Sequence, residues 1–145
     1  MEEEYYLFRY IVAGDSRVGK TSLIRTFCEE GKFDPKQPTQ PTDGISHYYS
    51  LRWVDGNTCV KLMITDTPDS SAMNKLTSST LKDVCCILFF YDPTRKETFE
   101  NLESQLETAR MNNRYPTTIM AVVANKSDSK QMQITSTDGQ EWAEA

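Results

Sequence analysis

Histidine occurs once, at His47, and cysteine four times, at Cys28, Cys59, Cys85 and Cys86. No two cysteines form a C-x-x-C pair, so no zinc set can be assembled from these residues. Cys85 and Cys86 lie in the apolar run Val84–Tyr91, where free cysteine behaves as a small hydrophobe; buried, reduced thiols of a cytosolic protein are expected. There is no excess of positive charge. The net charge is −5, which argues against broad attraction to DNA, RNA or anionic lipid, though a local basic site could still hold a phosphate. No apolar run reaches the roughly 18 residues that a membrane span requires. The start, Met1-Glu2-Glu3-Glu4, is acidic and leads into no apolar stretch, so no signal peptide is expected. Repeats, low-complexity tracts and linkers are missing as well.

What remains is one domain's worth of chain. At 145 residues, 38% hydrophobic and 26% charged, it is long enough and apolar enough to bury a core. Short apolar runs alternate with helical patterns, which predicts an α/β fold with a mostly parallel sheet and helices on both faces. Phe8–Ala13 reads as a first strand. Lys20–Glu30 reads as a helix with Leu23, Ile24 and Phe27 on one face and Gly31 to end it. Asp55-Gly56-Asn57 is a turn signal between strands at Ser46–Val54 and Thr58–Thr65. Val84–Tyr91 reads as a strand buried on both faces. Phe99, Leu102, Leu106 and Ala109 repeat at helical spacing over Lys96–Met111, with Thr94 and Glu97 spaced as a capping box. Thr118–Ala124 reads as a buried strand, and a last helix begins near Ser136.

Three motifs carry chemistry. Gly14-Asp15-Ser16-Arg17-Val18-Gly19-Lys20-Thr21 fits G-x-x-x-x-G-K-[ST] and sits between a strand and a helix, as that motif requires. Its glycines let backbone wrap a phosphate, with amides and the helix N-terminus aimed at the anion. Lys20 should reach the β- and γ-phosphates, and the Thr21 hydroxyl should ligate Mg²⁺. Asn125-Lys126-Ser127-Asp128 follows a strand, about one hundred residues later, at the edge where open α/β sheets bind ligands. The two oxygens of Asp128 can accept from guanine N1–H and its exocyclic amine. Adenine offers no such pair, so Asn125, Lys126 and Asp128 point to GTP/GDP rather than ATP. Asp66-Thr67, after the third strand, offers a carboxylate that can hold Mg²⁺ through water.

On these motifs the chain resembles a Ras-superfamily small GTPase, most of all the Rab family. Gly14-Asp15-Ser16, Lys61-Leu62 and Thr77-Ser78-Ser79 are Rab-like, and the distance from Asp66 to Tyr91-Asp92 fits without a gap. The resemblance implies a Rossmann-like P-loop G domain over residues 1–145 and a switch function in vesicle trafficking or signalling, with protein regulators and effectors as partners. It also implies a first-switch threonine that senses γ-phosphate and ligates Mg²⁺. Thr39 and Thr42 are the candidates, and Thr42 fits better because Thr42-x-Gly44 precedes the strand. The metal set implied is then Thr21, Thr42 and Asp66.

The resemblance breaks in the second switch. Where the family has Asp-Thr-Ala-Gly-Gln-Glu, this chain has Asp66-Thr67-Pro68-Asp69-Ser70-Ser71. A carboxylate at Asp69 faces the γ-phosphate on this reading; at about 5 Å and an effective dielectric of 20 the repulsion is roughly 3 kcal/mol at most. Ser70 is too short to orient attacking water as the family's glutamine does. Binding is expected to survive and hydrolysis to be weak, leaving no catalytic residue to name. The alternative is a pseudo-GTPase that binds partners whatever its nucleotide. Thr65 and His47 or Tyr48 stand where the family shows effector-binding aromatics, so partner choice does not carry over, and His47 reads as a surface residue. The family's last strand, its Ser-Ala-Lys loop and its last helix have no counterpart, whether this is a fragment or a naturally short product. Membrane association is expected only of a longer form with a prenylated tail.

Overall fold

A computed structural model describes residues 4–29, 44–75, 81–112, 117–126 and 128–145. The apolar runs become five strands: β1 (Tyr6–Gly14), β2 (Ser46–Val54), β3 (Thr58–Asp66), β4 (Val84–Tyr91) and β5 (Ile119–Ala124). Between them lie α1 (Lys20–Cys28), a 3-10 helix (Ser70–Lys75), α2 (Lys96–Glu100), α3 (Leu102–Asn112) and α4 (Ser136–Glu144). The sheet order is β2-β3-β1-β4-β5. The β2–β3 hairpin is antiparallel and every other pair is parallel, so the expected mixed, mostly parallel α/β architecture is present.

The hairpin turns where Asp55 and Gly56 have φ of 55° and 74°, the left-handed pair that an Asp-Gly turn supplies cheaply. One face of the sheet buries Ile11, Ile87, Phe89 and Leu102 with Leu81 and Ala109, at roughly 2 kcal/mol per large side chain removed from water. The other face packs Val12, Ile64 and Phe90 against Ile24 of α1. There Ile24 is buried but Leu23 and Phe27 are 44% and 41% exposed. They border an open apolar groove of about 320 Å³ floored by Tyr10, Leu62 and Leu88, so only one of the three expected α1 residues is a full core residue.

Three further expectations are corrected. The single helix over Lys96–Met111 is two, broken at Asn101. No capping box forms at its start, because the Thr94 hydroxyl and amide both donate to Asp92 Oδ1 at 2.6 and 2.9 Å; Arg95 is the N-cap residue, with no side-chain cap. A capping box does form at α4, between Thr135 and Asp138. Finally β5 is only half-buried, with Ile119 65% exposed, because it is the edge of the described sheet. All four cysteines are free, but only Cys59 and Cys86 are buried as expected; Cys28 and Cys85 are half-buried.

Candidate functional site

The register sets Val12 beside Asp66, Gly14 beside Phe90 and Tyr91 beside Ala124. The carboxyl ends of β1, β3, β4 and β5 therefore share one edge, and the segments after them converge there. The loop Gly14–Gly19 leads into α1 with Gly19 at the N-cap and neither a side-chain cap nor an acidic residue in the first turn. The positive end of the helix dipole there faces no acidic residue of the first turn. Lys20 folds back across the loop, its Nζ donating to the carbonyls of Gly14 at 2.9 Å and Asp15 at 2.6 Å. Burial lowers its pKa to about 8, although Asp66, Asp15 and Asp69 push it back up.

On the β3 side, Asp66 and Thr67 are fully buried. The Thr21 hydroxyl donates to Asp66 Oδ2, and Thr67 Oγ1 donates to the Val12 carbonyl at 2.8 Å. Asp66 Oδ1 is buried without a hydrogen-bond partner among the described residues, and burial raises the carboxyl's pKa. A buried, under-satisfied carboxylate beside a hydroxyl suits a small, hard cation such as Mg²⁺, which keeps waters and takes few protein ligands. Thr39 and Thr42 lie outside the described residues.

On the β5 side, Asn125 Nδ2 donates to the Val18 carbonyl at 2.9 Å, while Val18 itself is buried. A Cβ on Gly19 would stand 2.2 Å from that nitrogen, and Gly19 has φ +92°, so only glycine admits this contact. Lys126 Nζ donates to the Arg17 carbonyl at 2.9 Å and to Asp92 Oδ2 at 3.0 Å. Arg17 and Lys126 both sit in the left-handed region, with φ of 63° and 56°. Each costs of order 1–2 kcal/mol without glycine, and the strained pair is joined to itself by that bond. Asp128 is exposed; Ser127 lies outside the described residues.

Sequence reasoning missed the supports of this site. Asp92, 2% exposed, takes Lys126, Thr94 and Arg95 together. Burial alone would raise its carboxyl, but hydrogen bonds from Thr94 and Lys126 pull it down to about 2. Buried Thr98 closes this loop, accepting from the Asp92 amide at 2.9 Å. The Asp15 carboxylate is held by Asn101 Nδ2 at 2.7 Å and Gln105 Nε2 at 3.2 Å, and Arg95 Nη2 donates to the Ser16 carbonyl at 3.0 Å. Only Asp92 left a signal, a polar residue directly after a buried strand at the ligand edge.

In the second switch, Asp69 Oδ1 accepts from the Ser71 amide at 2.9 Å, and the Ser71 hydroxyl holds the carboxyl below its usual range. The carboxylate thus caps the start of the 3-10 helix, where the sequence predicted only that it faces the γ-phosphate. His47 is exposed, with Nδ1 3.0 Å from Thr65 Oγ1.

A sequence model of the Ras family matches residues 9–145. The chain is 37% identical over 131 residues to "Ras-related protein RABA6a" of Arabidopsis thaliana, covering 90% of this chain and 54% of that protein. It is 33% identical over 143 residues to "Ras-related protein rab-39" of Caenorhabditis elegans, covering 96% of this chain and 61% of that one. The chain thus spans between half and two thirds of the length of these relatives. A phosphate loop, a buried Asp-Thr and an Asn-Lys-x-Asp gathered at one sheet edge agree with those matches, and the chain belongs to the Ras family as a Rab-like small GTPase.

Proposed function

We propose that this chain is a guanine-nucleotide switch that binds GDP and GTP with Mg²⁺ and hydrolyses GTP poorly. The observation that carries this is the joining of the base-side segment to the phosphate loop: Asn125 and Lys126 donate to the carbonyls of Val18 and Arg17. On this reading Gly14–Thr21 hold the phosphates, with Lys20 as counter-charge. Asn125 and Lys126 shape the base pocket, and Asp128 accepts from guanine. Thr21, Asp66 and Thr42 would hold Mg²⁺, which neutralises phosphate charge when bound. Poor hydrolysis follows from Ser70 in place of a water-positioning glutamine. Regulators and effectors of a trafficking or signalling switch are the partners; no helix among the described residues is long and apolar enough to cross a membrane.

Mass spectrometry of nucleotide released from the purified protein should find GDP or GTP. Asp128→Asn should shift preference towards xanthine nucleotides. ATP competing as well as GTP would defeat the guanine assignment. A second reading, a scaffold indifferent to nucleotide, is favoured by Asp69: its cap on Ser71 holds the start of the second switch in a shape that needs no γ-phosphate.

A further inference from the structure

We propose that Arg95 is a positioning residue that clamps the phosphate loop in its anion-ready shape, acting through the Asp92 carboxylate that it shares with Lys126. Asp92 is buried at the end of β4 and receives Lys126 Nζ at 3.0 Å and Arg95 Nε at 3.4 Å. The two cations then reach consecutive carbonyls of the phosphate loop. Arg95 Nη2 donates to Ser16 at 3.0 Å, and Lys126 Nζ donates to Arg17 at 2.9 Å.

In a trans peptide the carbonyl and the following N–H point in opposite directions. Pulling the Ser16 and Arg17 carbonyls towards Asp92 therefore turns the amides of Arg17 and Val18 the other way. That is the inward set of donors an anion-binding loop needs. The pull also holds Arg17 at φ 63°, a conformation that a residue with a Cβ abandons when released. At Arg95 the bridge uses two nitrogens of the planar fork, Nε on the carboxylate and Nη2 on the Ser16 carbonyl; a lysine there would have to span the same two oxygens from one point on a shorter reach, as Lys126 does for Arg17 from its own place. This role rests on the nucleotide reading above and adds to it a residue from outside all three motifs.

The test follows release of GDP carrying a fluorescent N-methylanthraniloyl group from the Mg²⁺-loaded protein. Arg95→Ala should release it about tenfold faster, equivalent to about 1.4 kcal/mol, and Arg95→Lys should recover little of the loss. In an Arg17→Gly background, where glycine adopts the positive φ freely, Arg95→Ala should accelerate release less than about threefold by the same conversion. A residue that merely supports the fold would lower the melting temperature and act equally in both backgrounds. Equal release from wild type and Arg95→Ala, or the same acceleration in both backgrounds, overturns the clamp alone. Wild type that holds no labelled GDP overturns the nucleotide reading and the clamp with it.

Discussion

Lys20 is the cation most deeply committed to the site, 4% exposed and bonded to two carbonyls of its own loop. Burial takes its pKa from 10.5 to about 8. Between those values the unfolded chain holds more protons than the folded one, so this group's contribution to stability rises with pH across that window. A phosphate reverses the balance by favouring the charged ammonium. Nucleotide binding should therefore take up a fraction of a proton at pH 9 and none at pH 6.5. Titration calorimetry in buffers of different ionisation heat reads this directly, and equal apparent enthalpies across buffers at pH 9 would contradict it. The lysine itself was legible from the motif. Its lowered pKa was not, because that depends on how β1, β3 and α1 close over it.

Among the elements, α4 shows how packing overrides propensity. Gly139 sits inside this helix and is buried, where alanine would normally gain about 1 kcal/mol. A Cβ there would stand 2.4 Å from Tyr91 Oη. Tyr91 is 2% exposed and cannot yield easily, since its ring meets Phe99 edge-on at 5.0 Å, and Phe99 meets Trp142 of α4 at 6.2 Å. Overpacking costs of order 1–3 kcal/mol, so Gly139→Ala should destabilise by about 1 kcal/mol net. Adding Tyr91→Phe removes the clashing oxygen and should turn Gly139→Ala neutral or stabilising. Urea denaturation of the two single variants and the double variant measures the coupling, and simple additivity would refute the contact. The start of the helix near Ser136 was readable in the sequence; the reason for its glycine lies in a strand that ends 48 positions earlier. Tertiary contacts also act on the Lys96–Met111 segment: Asp92 takes the Thr94 hydroxyl and amide that a capping box would have used, and the Asn101 side chain, at the break between α2 and α3, reaches Asp15.

For the molecule as a whole, the question is whether two nucleotide states differ. Asp69 caps Ser71, yet it lies near enough to raise the pKa of Lys20, so its charge is still felt by the lysine proposed to meet the phosphates. GDP and GTP share every contact except those of the γ-phosphate. Asp69→Gly should therefore improve GTP relative to GDP about tenfold, equivalent to about 1.4 kcal/mol, and Asp69→Asn should recover part of that by removing charge while keeping the cap's shape. Dissociation constants in one unchanging ratio across wild type and both variants would favour the scaffold reading.

By itself the sequence determined the order of strands and helices, the mostly parallel α/β sheet and the three motifs at its edge. Each of these is written in neighbouring residues: apolar period, glycine spacing, the Asp-Gly turn. The supports of the site were decided only by tertiary structure. Arg95 meets Ser16 across 79 positions, Gln105 meets Asp15 across 90 and Lys126 meets Arg17 across 109. No local pattern encodes such pairs, because they exist only once the register of β1, β3, β4 and β5 is set. A slip of one residue in that register would turn each strand's side chains to the opposite face.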